Sequence, residues 1–128
     1  MFRAALISLF LTSTALASDL FVCSSSSHQV LQFDGHTGKG MGPFTSIANP
    51  TGMSFQSLED FMGVSGDLFV CSSSSHQVLR FDGQTGDALG PFCSVPNPTG
   101  LAFGPSGDLF VCSSSSHQVL RFDGQTGD

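Results

Sequence analysis

The spacing Cys-x4-His occurs three times, as Cys23/His28, Cys71/His76 and Cys112/His117, and both residue types ligate zinc. A closed zinc site needs four protein ligands converging within about 2.0 to 2.3 Å of one metal. Each short segment supplies only two, so the spacing points to a packed thiol beside a loop histidine. Four serines lie between each cysteine and histidine, and with a nearby Asp they offer the residue types of a hydrolase triad. A unique active site has no reason to appear in triplicate, and no Gly-x-Ser-x-Gly elbow accompanies any copy. The run Asp82-Gly83-Gln84-Thr85-Gly86-Asp87 presents two carboxylates that would suit calcium. It lacks the further oxygen side chains and closing Glu of a calcium loop, and the first copy carries Lys39 where this one carries Asp87. A tight turn is the simpler reading. Arg80 and Arg121, replaced by Gln32 in the first copy, sit amid apolar neighbours. Their stems are expected to pack along the protein and their heads to pair locally with a turn aspartate. These grounds assign no catalytic, metal-binding or cofactor-binding residue.

The candidates recur because the chain recurs. Residues Gly66 to Asp87 are repeated without change at Gly107 to Asp128, and a third copy with four differences runs from Ser18 to Lys39. Asp19, Asp67 and Asp108 are equivalent, so the steps are 48 and 41 residues. The extra seven residues lie between Phe55 and Asp67, where the later copy has only the turn Gly104-Pro105-Ser106-Gly107. That lengthened loop holds Glu59, the only Glu in the chain. Within a unit the apolar runs are short, rich in Phe, Val and Leu, and punctuated by Gly, Pro, Asn and Asp, which favours strands over helices. Four strands per unit are expected. The first spans Gly100 to Phe103, after the stiff run Pro96-Asn97-Pro98-Thr99; the second spans Leu109 to Cys112 and the third Gln118 to Phe122. A fourth, seen in the preceding copy, runs from Ala88 to about Cys93. Asp82 to Gly86 would turn the third strand into the fourth, because Asp-Gly pairs admit positive φ. Ser72 to Ser75 would join the second to the third. Thirteen Phe, with no Trp or Tyr, are the main core material. Each ring fully removed from water contributes on the order of 1.5 to 3 kcal/mol.

A 41-residue unit of four antiparallel strands matches the roughly 40 to 50 residues of a β-propeller blade. The run N-P-T-G-L-A-F-G-P-S-G-D-L-F-V, followed by Q-V-L-R-F-D-G-Q-T-G, resembles the NHL repeat and the related six-bladed, TolB-like propellers. These include streptogramin lyase and the gluconolactonase group. The resemblance covers nearly all of Asp19 to Asp128 and implies an all-β fold with about two and a half blades present. Closure takes roughly four to eight blades, so open sheet edges are expected. Either the chain is a fragment of a longer propeller or copies assemble to complete a ring; the halt in mid-unit at Asp128 favours the fragment. The family commonly carries an acidic residue just after the second strand, where this chain has Ser24, Ser72 and Ser113.

Equivalent positions away from a propeller axis diverge. This opposes a zinc site shared between blades, and it opposes disulfides among Cys23, Cys71 and Cys112, because a bridge needs Cα atoms within about 7 Å. Buried free thiols are expected there. Cys93 has Thr45 as its counterpart in the first copy and stands apart as a candidate reactive or intermolecular thiol. By resemblance, a lyase of this family would supply a catalytic His and metal-binding Glu residues, and a lactonase a Glu, an Asn and an Asp around a divalent metal. Glu59 lies outside the motif, and Asn49 and Asn97 precede Pro-Thr-Gly as turn formers. No family catalytic residue therefore transfers.

Met1 to Ala17 has the form of a secretory signal: Arg3, an apolar stretch from Ala4 to Leu11, then Ala15-Leu16-Ala17. The apolar stretch is shorter than the roughly 20 residues of a membrane span, and no later segment qualifies. The expected organisation is thus a leader over 1–17 and a repeat array over 18–128, secreted or periplasmic. The net charge of −6 leaves no electrostatic footprint for nucleic acid or an anionic membrane. The leading expectation is a non-enzymatic scaffold binding a protein or glycan, without a cofactor. The alternatives are part of a metal-dependent lyase or lactonase, and a truncated product with no role of its own. A chain folding alone would cover its open edges with another copy.

Overall fold

A computed structural model describes residues 19–56 and 66–128. The expected leader, and the lengthened loop with Glu59, lie outside the described residues. Within them, ten strands form three antiparallel sheets, and no α-helix is present. The first sheet contains β1 (Leu20–Ser24), β2 (Gln29–Phe33) and β3 (Gly40–Ser46). The second contains β4 (Pro50–Phe55), β5 (Leu68–Ser72), β6 (Gln77–Phe81) and β7 (Ala88–Ser94). The third contains β8 (Pro98–Phe103), β9 (Leu109–Ser113) and β10 (Gln118–Phe122). Each strand pairs with its neighbour in the chain, so the four expected strands of a unit appear in the expected order. The first begins two residues early, at Pro98, since a proline is tolerated at the opening residue of a strand.

Local chemistry explains where pairing bends. β3 and β7 carry Pro43 and Pro91, and β7 lies at the edge of its sheet, where a missing N–H breaks no ladder. The register of both shifts twice against the third strand of the unit, and Gly42 and Gly90 lie within the shifted stretches at φ 102°. No other residue type adopts that conformation without strain.

The same pentapeptide, Leu-Phe-Val-Cys-Ser, forms β1, β5 and β9, yet its burial differs each time. In β5 all five residues are buried; in β9 burial alternates, with Leu109, Val111 and Ser113 inside. In β1, Leu20 and Val22 are the exposed pair. Alternate side chains of a strand point to opposite faces, so only a sheet with neighbours on both sides buries both sets. The middle sheet has them. One core joins the first and second sheets through Val30, Ile47, Leu68, Val70 and Phe81, with Phe21 and Phe55 packed against it. The other joins the second and third through Phe69, Cys71, Val78, Leu109 and Val111, with Phe92 and Phe103 against it. Each core holds a phenylalanine triad: Phe21 lies 4.9 Å edge-on from both Phe44 and Phe55, and Phe69 lies 4.8 and 5.0 Å from Phe92 and Phe103. Such pairs add about 0.5 to 1.5 kcal/mol each to simple burial.

The sheets also approach through backbone. A Cβ on Gly52 of β4 would stand 2.8 Å from the Cα of Gly100 in β8, and Thr51 Oγ1 donates to the carbonyl of Pro98 at 2.7 Å. A Cβ on Gly86 would stand 2.2 Å from the carbonyl oxygen of Phe44 in the first sheet, and one on Gly127 would meet that of Phe92 in the second at 2.3 Å.

Candidate functional site

The repeated Ser, His and Asn residues gather at one edge of the sheets, where β1 turns into β2, β5 into β6 and β9 into β10. His28, His76 and His117 close these hairpins in the left-handed region, at φ 56°, 56° and 57°. Histidine and asparagine are among the few side-chain-bearing residues that adopt it readily. The imidazole is then aimed at the connection leading to the next sheet. His28 Nδ1 accepts from the N–H of Asn49 at 3.1 Å, and His76 Nδ1 from that of Asn97 at 3.0 Å. The carbonyls of the same two histidines accept from Ile47 and Val95 at 2.9 Å each.

Asn49 and Asn97 continue the link. Both have positive φ, 48° and 44°, as turn formers do. Asn49 Nδ2 donates to Ser73 Oγ at 2.5 Å, and Asn97 Nδ2 to Ser114 Oγ at 2.6 Å. A His–Asn–Ser chain therefore ties each hairpin to the next sheet's hairpin. Sequence reasoning took the histidine for a loop residue and missed this network. One signal was present: His28 to Asn49 and His76 to Asn97 are both separated by 21 residues. The asparagine-to-serine separation hides it, being 24 residues in one case and 17 in the other because of the lengthened loop.

Of the three serines that stand where the resembled family carries an acid, two are internal, while Ser24 is only partly buried. Ser72 and Ser113 are buried, and their hydroxyls donate at 2.6 Å to the carbonyls of Ala48 and Pro96 in the preceding connections. An ionised carboxylate has no proton to donate there. Beyond them, Ser25, Ser26, Ser27, Ser74, Ser75, Ser115 and Ser116 are exposed, so the outermost layer of this edge is a row of hydroxyls.

The opposite edge carries the aspartates. Asp82 Oδ1 accepts from the N–H groups of Gln84 and Thr85, both at 2.8 Å, and Asp34 and Asp123 do the same in their own turns. These N–H bonds hold all three carboxyls below the ordinary carboxylate value, the strongest coming from Thr85 for Asp82, Thr37 for Asp34 and Gln125 for Asp123. The turn is an Asx turn closed by Gly86 at φ 77°. Arg80 Nε donates to Asp67 at 2.6 Å and Arg121 Nε to Asp108 at 2.7 Å, so each head pairs with the carboxylate that precedes the second strand. In the first copy Gln32 Nε2 donates to Asp19 at 2.6 Å, preserving the contact without the charge. Arg80 also lies 5.9 Å over the Phe69 ring.

The four cysteines are free. Cys71 is buried and Cys23 partly so, but Cys112 is exposed, a correction to the expectation of three buried thiols. The reason is position: Cys112 projects from the face of β9 that no further sheet covers. Burial, and then the nearby Cys93, Cys23 and Cys112, push the Cys71 thiol up to about 12. Cys93, the candidate reactive or intermolecular thiol, is buried among Phe69, Val95 and Leu109 and pushed up to about 11 by burial. A thiol held protonated is a poor nucleophile. Among the described residues, no three His, Cys, Asp or Glu side chains converge as metal ligands would. No helix among them is long and apolar enough to cross a membrane.

No protein-family model and no curated protein matches this sequence. Among solved structures, the chain is similar to Kuenenia stuttgartiensis hydrazine synthase, with TM-score 0.58 and 22% identity over 81% of this chain and 32% of that one. It is also similar to the computationally designed Ika8 protein, with TM-score 0.59 and 14% identity over 86% of this chain and 31% of that one. The chain thus spans about a third of the length of either structure. At these identities the likeness carries the fold alone.

Proposed function

We propose that the chain is part of an exported, NHL-type β-propeller that acts as a non-enzymatic scaffold and presents its hairpin edge to a protein or a glycan. The hairpin edge carries this reading: exposed serine hydroxyls line it, while His28, His76, Asn49 and Asn97 are engaged in holding it in place. Uncharged hydroxyls fixed on a rigid sheet edge recognise polar, uncharged surfaces by hydrogen bonding and bridging water. Three successive sheets with one strand order, packed by the same contacts, support the propeller arrangement. In that reading the middle sheet is one complete blade. Export is supported by the leader-like residues before Ser18.

The test is a glycan and protein array probed with the purified chain, followed by titration of any hit in EDTA. The expected result is saturable binding that survives EDTA and is lost when Ser74 and Ser75 are both changed to Lys. Turnover of a lactone or lyase substrate that requires added divalent metal would overturn the reading.

A further inference from the structure

Among the described residues nothing covers the outer face of the first or the third sheet, and the residues on those faces are already matched inside the molecule. Phe69, Cys71 and Val78 of the second sheet pack against Leu109, Val111, Leu120 and Phe122 of the third. The first sheet makes the same contact with the second, through Phe21, Cys23 and Val30 on one side and Leu68, Val70, Leu79 and Phe81 on the other. The uncovered face of the third sheet presents Phe110, Cys112 and Val119; that of the first presents Leu20, Val22, Leu31 and Phe33. Position by position, these are the residue types that second and third strands bring to the internal interface; among the described residues the third sheet has no counterpart of Phe92 and Cys93, and the first none of Leu101 and Phe103. Val78 is fully buried while Val119, in an identical stretch, is 64% exposed. Leu109 is fully buried while Leu20 is 57% exposed.

We propose that the third sheet of one copy docks on the first sheet of a second copy, repeating between chains the contacts that second and third strands make twice within each. The contact is heterologous, because the two faces carry different residues, and a heterologous contact either closes into a ring or propagates. The described residues of two copies supply six sheets, within the range that closes a propeller. A closed pair, with both contacts made at once, is therefore the expected assembly. The face-to-face contact rests on the packing alone, whereas closure at two copies rests also on the propeller reading.

Light scattering on the eluting full chain, with Val119→Arg and Val22→Asp variants, tests both parts. The wild-type chain is expected at twice the monomer mass, and each variant at the monomer mass with an unchanged far-ultraviolet spectrum. Mixing the two variants is the diagnostic step: one retains an intact first-sheet face and the other an intact third-sheet face, so a one-to-one dimer returns. A heterologous contact predicts that rescue and an isologous one does not. Labelling of Cys112 reports independently, slowing in the wild-type chain as concentration rises and not in Val119→Arg. A wild-type monomer, or failure of the mixed variants to pair, overturns the docking. An open polymer in place of a dimer overturns the two-copy closure while leaving the scaffold reading untouched.

Discussion

Replacing Phe69 and Phe110 by alanine, one at a time, separates sequence from environment, because the two residues occupy the same position in 22-residue stretches that are identical. Phe69 is fully buried, edge-on to Phe92 and Phe103 and beneath the Arg80 guanidinium. Deleting a buried phenylalanine ring costs about 3 to 5 kcal/mol, a large part of the roughly 5 to 15 kcal/mol by which a domain is stable. Phe110 is 37% exposed, with its ring against Gly104 and no fourth strand or further sheet over it. The partial burial leaves about 1 to 2 kcal/mol to lose. The gap of about 2 kcal/mol corresponds to roughly 1 M in urea midpoint at a slope near 2 kcal/mol/M. The assay is urea unfolding followed by far-ultraviolet circular dichroism, since the chain has no Trp or Tyr to fluoresce. Both substitutions belong in the Val119→Arg background, so that no second copy covers Phe110. Equal midpoint shifts would refute the claim that array position, and not local sequence, sets the energetics of each unit.

Three further outcomes are expected. Ser72→Ala removes the shorter of two hydroxyl bonds to the Ala48 carbonyl, leaving that from Ser74, and should cost about 0.5 to 1.5 kcal/mol in urea unfolding, and Ser72→Asp should cost more because the buried carboxylate also repels that carbonyl. Gly52→Ala should destabilise by about 1 to 3 kcal/mol, since its Cβ meets the backbone of β8, whereas Gly100→Ala, with nothing within 4 Å, should be neutral or slightly stabilising by thermal melting. A thiol reagent should label Cys112 of the native Val119→Arg chain rapidly and Cys71 and Cys93 only on unfolding. Because the folded thiols are raised from 9.0 to about 12 and 11, unfolded chains ionise first, so stability should be intact below pH 9 and fall as pH rises towards those values. Replacing both residues by Ala should flatten that alkaline decline.

The strand pattern was legible because every unit spells it out: Gly, Pro, Asn and Asp punctuate short Phe- and Val-rich runs, and all four expected strands form where the middle unit is complete. The turn after Asp82 was equally readable, and Gly86 has the positive φ expected of it; Gly83 does not, and lacks a side chain because a Cβ there would collide with the carbonyl of Gly66. Burial was not readable. Identical stretches gave one buried and one exposed valine at positions 78 and 119, a difference that only tertiary packing creates. The same holds for Cys112, which differs from Cys71 in nothing but its neighbours. The His–Asn–Ser links were hidden for another reason: they cross between units, and a reading that aligns copies against one another compares residues that do not touch.

Those links have a consequence for how such a chain changes length. His28 and His76 each belong to one copy of the repeat and are fixed by an asparagine from the connection to the next, so the structural module is offset from the boundary drawn by aligning the copies. Copying a 41-residue stretch that begins and ends at equivalent points of the second and third copies would deliver a whole sheet with its latch to each neighbour intact. Growth by slippage during replication would leave no seam in the protein, and selection would meet a longer or shorter array that already fits together.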